Sequence, residues 1–229
     1  MKVHPQFPLA IWLLLTTWNL ALAAEPDPYF EESRAYRRMR ENPTEGFQLL
    51  MKLAERGVAN AQYEVASAFY TGTGVTRDIA EAAKWAQRAA DQNNLHGLLM
   101  IGNLHRGSEL GRPNLDLTVK AFERAAELGS TLAYRHLGQL YFTGEHMPRD
   151  YTRAERWLRP AAARNDQIAQ FTLGQLYLHG SGVERDPATA ALWFQKAAAS
   201  GHSQAQLYTA ENYEYGKGVP QDISQALRI

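Results

Sequence analysis

The chain has 229 residues, of which 45% are apolar and 21% are charged, a composition that excludes wholesale disorder. Its 24 basic residues balance 24 acidic ones, so it lacks the net positive charge that attracts proteins to nucleic acid. Because the chain contains no cysteine, it has no disulfide framework, thiolate metal site, cysteine nucleophile or lipid-modified cysteine.

Residues 1–24 predict a cleavable signal peptide. Lys2 provides a basic start, the run Leu9–Leu22 is apolar, and Ala21-Leu22-Ala23 places small residues at the positions that signal peptidase reads. The alternative is an uncleaved membrane anchor, which the short length of the run and its internal polar residues disfavour. We therefore expect cleavage near Ala23 or Ala24, a periplasmic or secreted mature protein, and no stable membrane span after cleavage.

A repeat of 36 residues organises the rest of the chain. One column of the repeat contains only small residues: Ala61, Gly97, Ala133, Ala169 and Ala205. A second column contains only Asp or Asn: Asn42, Asp78, Asn114, Asp150, Asp186 and Asp222. Two independent columns that keep the same register indicate a true internal repeat.

Each period predicts two helices. In the first helix, numbered from the small column as position 0, apolar or small residues recur at positions 0, 4, 7 and 8, which form one helical face. Position 5 is also always small, and this predicts close contact with a neighbouring helix. A turn such as Gly180-Ser181-Gly182-Val183 ends the first helix, and the Asp/Asn column caps the second. Trp85, Trp157 and Trp193 share a column of the second helices, where we expect inter-helix core.

Two segments carry a family resemblance. The sequences AQFTLGQLYLHGSGV (residues 169–183) and AALWFQKAA (residues 190–198) closely resemble the Sel1-like repeat, a relative of the tetratricopeptide repeat. The resemblance implies an all-α fold, a right-handed α-solenoid of stacked αα-hairpins whose first helices line a concave surface. The resulting organisation is a degenerate first repeat at 25–58 and a solenoid at 59–229, with repeats at about 59–94, 95–130, 131–166, 167–202 and a truncated 203–229. The turn at residues 107–113 departs from the family pattern.

The sequence shows no pattern that indicates catalysis. It has no Gly-x-Ser-x-Gly, His-Glu-x-x-His, phosphate-binding loop or dinucleotide fingerprint, and its mature histidines lack the i, i+4 spacing of a helical metal site. We therefore expect no catalytic residue, no metal and no cofactor. A hydrolase acting on cell-wall or β-lactam substrates is the alternative from another class, supported only by the predicted location.

The resemblance implies that the concave surface binds another protein. Positions 2, 6 and 9 of the first helices lie opposite the inward face, and they combine aromatic, amide and arginine side chains, a composition typical of protein-binding surfaces. The alternative is that some of these residues pack between adjacent first helices. The predicted partner-binding residues are Tyr63, Tyr70, Leu99, Arg106, Arg135, Gln139, Phe142, Phe171, Gln175 and Leu178.

The predicted function is a non-catalytic protein-binding scaffold in the periplasm, working as an adaptor or regulator in the cell envelope. The family resemblance implies a second possibility, an immunity protein that binds and neutralises a secreted toxin such as a phospholipase effector. In both cases the partner is another protein, with no role for nucleic acid.

Overall fold

The computed structural model describes residues 28–229, and these residues form twelve α-helices and no strand. The predicted signal peptide and its cleavage site lie outside the described residues. The helices are α1 (Pro28–Glu41), α2 (Pro43–Glu55), α3 (Ala59–Thr71), α4 (Ile79–Asp91), α5 (Leu95–Arg106), α6 (Leu115–Glu127), α7 (Thr131–Thr143), α8 (Tyr151–Ala163), α9 (Gln167–His179), α10 (Pro187–Ala199), α11 (Ser203–Tyr215) and α12 (Ile223–Ala226).

The helices stack in chain order. Each helix contacts the next one along the chain, and α7 and α9 also contact each other directly. From α3 onward the odd-numbered helices are the first helices of the repeats and the even-numbered ones are the second helices. Packing restricted mainly to neighbours is characteristic of a solenoid, so the predicted all-α fold of stacked hairpins is confirmed. Helices α1 and α2 form a further hairpin that packs on α3.

Side-chain caps define where the helices begin. Every member of the Asp/Asn column accepts a hydrogen bond from a backbone amide in the first turn of the following helix, at 2.9–3.4 Å. This is the predicted N-cap role. The structure adds a second cap column, not recognised in the sequence, that begins the first helices at Asn94, Ser130, Asp166 and His202.

Left-handed glycines end four of the first helices. Gly72, Gly144, Gly180 and Gly216 have φ values of 67–78°, which a side chain would make costly. The exception is Gly107, where φ is −78° and ψ is −179°. This extended conformation occurs in the repeat whose turn departs from the family pattern.

Small residues at position 5 allow the two helices of a hairpin to approach closely. A Cβ atom on Gly102 or Gly174 would lie within 2.3–2.6 Å of the ring of Phe122 or Phe194, and one on Gly138 would lie 2.5 Å from Leu158. These three large side chains are fully buried. The predicted close contact is therefore confirmed at these glycines. Trp85 is buried, as expected for inter-helix core, whereas Trp157 and Trp193 are half-buried at its edge.

We predict that Gly174→Ala destabilises the protein. Its new methyl group would lie 2.6 Å from the Phe194 ring. That ring is fully buried, so it cannot move away into solvent. Overpacking of this kind destabilises a protein by up to about 3 kcal/mol, and the higher helix propensity of alanine offsets about 1 kcal/mol of this. We therefore expect the free energy of unfolding to fall by about 2 kcal/mol. The free energy of unfolding in urea, followed by circular dichroism, measures the loss.

The matched control is Gly107→Ala, because its new methyl group would meet only the Asn103 carbonyl oxygen, at an ordinary 3.6 Å. We expect the control to change the free energy of unfolding by less than about 1 kcal/mol. Equal stability of the two variants would contradict the close-packing role of position 5.

Candidate functional site

A cavity of about 360 Å³ opens between three first helices, α3, α5 and α7. We call it the α3–α7 cavity. Helix α3 contributes one stripe of side chains to its wall, α5 contributes a second, and α7 and the turn after α5 close it. Its lining residues are Tyr63, Ser67, Tyr70, His96, Leu99, Met100, Asn103, Leu104, Glu109, Leu132 and His136.

Three of the predicted partner-binding residues line this cavity. Tyr63 and Tyr70 belong to α3 and Leu99 to α5, and they occupy positions 2 and 9 of their helices. Tyr70 is 37% exposed, whereas Tyr63 and Leu99 are half-buried. The structure therefore brings these three together around one opening. Whether they bind a partner stays a prediction.

Sequence reasoning missed the residues that complete the wall. His96 and Leu132 stand at position −1 of their helices, and Met100 and His136 at position 3. At about 100° per residue, these positions lie at about 260–300° around the helix, next to the predicted face at about 180–240°. The open surface is therefore wider on one flank than expected. The signal in the sequence is a leucine at position −1 of α7, outside the inward positions 0, 4, 7 and 8, and the structure shows that this leucine is exposed.

The expectation that Phe171 lies on an open surface is wrong. Phe171 is only 8% exposed, and its ring stacks on His202 with centroids 4.3 Å apart. Phe194 and Tyr208 lie within 5.8 Å of the same ring. Rings from neighbouring helices therefore cover Phe171 itself. At this residue the alternative, packing between adjacent first helices, is therefore correct.

The other apolar and amide residues of the predicted surface have mixed environments. Phe142 is half-buried and packs edge-on against Tyr151, with ring centroids 5.8 Å apart. Leu178 borders a separate cavity of about 390 Å³ near Tyr208. Gln139 and Gln175 are half-buried. None of these four lines the α3–α7 cavity.

The two predicted arginines each contact a carboxylate that lies outside their own helix. Arg106 lies 3.9 Å from the Glu145 carboxylate, and Arg135 lies 3.5 Å from Asp166, the residue that caps α9. The Arg135 side chain is 21% exposed, and its buried Nε has no hydrogen-bond partner among the described residues. Both side chains are thus less accessible than the sequence suggested.

His136 forms an uncharged part of the cavity wall. Its ring stacks on Phe122 with centroids 5.0 Å apart, and its buried Nδ1 has no hydrogen-bond partner in the described part of the chain. Burial lowers the pKa of His136 to about 4, with further contributions from the charges of Arg135 and Arg106 that outweigh the opposite effect of Asp166. The imidazole is therefore neutral at pH 7.

Other chemistry has little support in the described region. Residues 28–229 contain no group of three or more His, Asp or Glu side chains that could hold a metal ion. No hydrogen bond among the described residues joins the Ser67 hydroxyl to His96 or His136, which line the same cavity. The helices of this region also lack the combination of length and apolar character required to cross a membrane.

Comparison with known families matches the Sel1 repeat to residues 59–94, 97–130, 131–166, 167–202 and 203–228. The chain belongs to the Sel1-repeat family. The hairpin of α1 and α2 lies outside the five matched segments, so its origin as a degenerate repeat stays a prediction. The chain is a Sel1-repeat solenoid protein.

Solved structures of bacterial proteins share this Sel1-repeat fold. A protective antigen of uropathogenic Escherichia coli is 30% identical, with a TM-score of 0.82 over 93% of this chain and 46% of that one. A Sel1 repeat protein from Oxalobacter formigenes is 27% identical, with a TM-score of 0.73 over 88% of this chain and 83% of that one.

A plant protein is similar over a shorter region. The ERAD-associated E3 ubiquitin-protein ligase component HRD3A of Arabidopsis thaliana is 31% identical over 101 residues, which is 39% of this chain and 15% of the plant protein. The chain therefore spans only a small part of this relative and about half of the E. coli protein.

We predict that His136 makes the protein less stable in mild acid. Because its pKa is about 4 in the folded protein and 6.5 in the reference state, the unfolded chain binds the proton first as the pH falls. Stability contributed by the neutral imidazole is therefore present above about pH 6.5 and lost progressively towards pH 4. His136→Leu should reduce the drop in melting temperature between pH 7 and pH 5.

His179→Gln, an exposed residue at the end of α9, is the control and should leave the drop unchanged. An identical drop in wild type and His136→Leu would contradict the assignment.

Proposed function

We propose that this Sel1-repeat protein is a non-catalytic scaffold that binds another protein through the α3–α7 cavity. We further propose that it works in the periplasm or after secretion, the location to which residues 1–24 would direct it. Its role is that of an adaptor or regulator in the cell envelope. The support comes from the family, from the composition of the cavity and from the sequence of the N-terminal segment.

The single observation that carries the proposal is an accessible opening between three first helices that is lined by exposed apolar side chains. Tyr70 and Leu132 line the cavity and are 37% and 44% exposed. Aromatic and aliphatic side chains grouped around a concave opening are a recurrent feature of binding sites on proteins. Ser67 and Asn103 add hydrogen-bonding groups that an entering polypeptide could satisfy.

The same geometry supports binding rather than catalysis. A nucleophilic hydroxyl needs a base within hydrogen-bond reach, and Ser67 has no such contact with the two cavity histidines in the described structure. The Glu109 carboxylate, at the rim, is held by Arg77 at 3.1 Å. Ser67, Glu109 and the two histidines line the cavity without a catalytic arrangement, and they give no support to the hydrolase alternative.

We predict that replacing both Tyr70 and Leu132 by alanine abolishes capture of the partner. The two substitutions remove exposed apolar surface from the cavity and little from the core, so the variant should keep its helical content. The measurement is affinity capture from an envelope extract with wild type and variant in parallel, followed by mass spectrometry.

The matched control replaces Leu117 and Leu192, exposed leucines of the second helices α6 and α10, by alanine. A protein retained by wild type and control but lost with the cavity variant supports the proposal, and a secreted toxin among such proteins would favour the immunity role. Equal capture by all three would refute binding through the cavity.

We predict that the protein recovered from the periplasmic fraction begins at Ala24 or Glu25. The apolar run and the small residues at 21 and 23 should direct export and cleavage. Fractionation followed by N-terminal sequencing tests this. A protein that retains residues 1–24 and sediments with membranes would instead indicate the uncleaved anchor.

A further inference from the structure

The outward side of helix α1 carries three arginines that have no partner in the described region. Arg34, Arg37 and Arg40 are exposed, and none of them makes an ion pair, a hydrogen bond or a ring contact with another described residue. At about 100° per residue they lie, together with Phe30, within an arc of about 120° on one side of the helix. Ala35, which is fully buried, lies outside this arc. We call Phe30, Arg34, Arg37 and Arg40 the α1 basic face.

The acidic residues of α1 do not neutralise the α1 basic face. Glu31 is paired with Arg56 of α2. Glu41, at the end of the same side of the helix, is paired with Arg38 at 3.1 Å. The third acid, Glu32, is only 9% exposed. The face therefore presents three uncompensated positive charges within about 9 Å along the helix axis, which is about one Debye length at physiological salt.

Helix stability explains only part of this arrangement. Cations in the last turn of a helix interact favourably with its dipole, and this accounts for Arg38 and Arg40. Arg34 and Arg37 come before the last turn, where the dipole effect has fallen off. Their charges have no counterpart among the described residues, so water solvates them or an external anion neutralises them.

An exposed aromatic ring accompanies these charges. Phe30 lies one turn before Arg34 on the same side of α1 and is 69% exposed. A cavity of about 380 Å³ follows this side, and its described lining residues are Phe30, Ser33, Arg34, Arg37, Arg38 and Glu41. Arginines bind phosphate oxygens through their planar guanidinium groups. Arginines combined with an aromatic ring on one side of a helix are typical of helices that lie on anionic membranes.

We propose that the α1 basic face binds an anionic phospholipid surface, with its three arginines on the lipid phosphates and the Phe30 ring at the boundary of the acyl chains. A layer of phosphates can contact all three arginines at once, because they lie on one side of a straight helix. An acidic protein is the less suitable occupant, since protein interfaces have an apolar core and this face offers a single ring.

This inference is separate from the proposed function. Helix α1 contacts mainly α2 among the described helices, and no residue of the α1 basic face lines the α3–α7 cavity. A protein held on a membrane through α1 could therefore still bind a partner at the cavity. The export that residues 1–24 predict would release the protein beside such a membrane.

The test is flotation of the protein with lipid vesicles. The protein is purified from the periplasmic fraction, so that wild type and variants have the same N-terminus. Equal parts of phosphatidylcholine and phosphatidylglycerol provide an anionic surface, and phosphatidylcholine alone provides a neutral one. We expect wild type to float with the anionic vesicles at low salt and to stay in solution with the neutral ones. In about 1 M salt, where the Debye length is about 3 Å, the protein should dissociate.

We expect Arg34→Gln/Arg37→Gln/Arg40→Gln to lower the partition coefficient for anionic vesicles by about a hundredfold, because each arginine near an anionic surface contributes about fivefold. Phe30→Ala should also lower it, since the ring no longer enters the acyl boundary. The matched control replaces by glutamine three exposed arginines that also lack a partner among the described residues but lie in separate parts of the chain: Arg112, Arg156 and Arg228. The control should bind within about threefold of wild type, because its arginines do not form one face. Circular dichroism checks that each variant is folded.

Several outcomes would overturn the lipid contact. These are equal binding of the α1 variant and its control, equal flotation of wild type with neutral and anionic vesicles, and no flotation at all. A protein that wild type captures and the α1 variant loses, without any binding to vesicles, would assign the face to an acidic protein instead. Tyr70→Ala/Leu132→Ala should float like wild type, so failure of the lipid contact and failure of binding through the cavity are distinguishable.

Discussion

The structure depends on the close approach of the two helices in each hairpin. At position 5 of the first helices there is no side chain beyond a hydrogen or a methyl group, and at Gly102, Gly138 and Gly174 the buried side chains of Phe122, Leu158 and Phe194 occupy the space. The second helix of a hairpin covers only one side of the first helix. The opposite side of the first helix is therefore not covered by it. Because the N-caps and the terminal glycines recur at the same positions, the helices of successive hairpins from α2 to α11 have nearly the same length. The hairpins therefore stack regularly, and the first helices form one continuous surface.

Local differences in side-chain size decide where that surface is open. Between α9 and α11 the Phe171 ring stacks on His202 and meets Tyr208 edge-on, and a separate cavity of about 390 Å³ is bordered by Leu178 and Tyr208. Between α3 and α7 the equivalent region is bordered by Leu99 and Met100, and a cavity of about 360 Å³ is left. A regular backbone therefore carries cavities with different linings, and the identity of a few side chains determines the apolar character of the α3–α7 cavity.

The sequence predicted the repeat, the hairpins, the Asp/Asn caps and the glycine turns, because each is a local feature with a fixed spacing. It also predicted the face that contains Tyr63, Tyr70 and Leu99. It did not predict the burial of Phe171 or the involvement of Arg135 with Asp166, since both contacts are made to the N-cap residue of the next first helix, His202 and Asp166 respectively. The wider flank that includes Leu132 and His136 was missed because a helical wheel treats each helix alone, whereas the cavity is shared by three.

The central claim is that the partner contacts the first helices at the α3–α7 cavity. Site-specific photocrosslinking in the intact cell tests it most directly, with a photoreactive amino acid placed at Leu132 in one strain and at Leu192 in another. Both positions are exposed, but only Leu132 lines the cavity. Binding at the α3–α7 cavity should give a crosslinked protein partner from position 132 and none from position 192. Crosslinking from position 192 alone would contradict it.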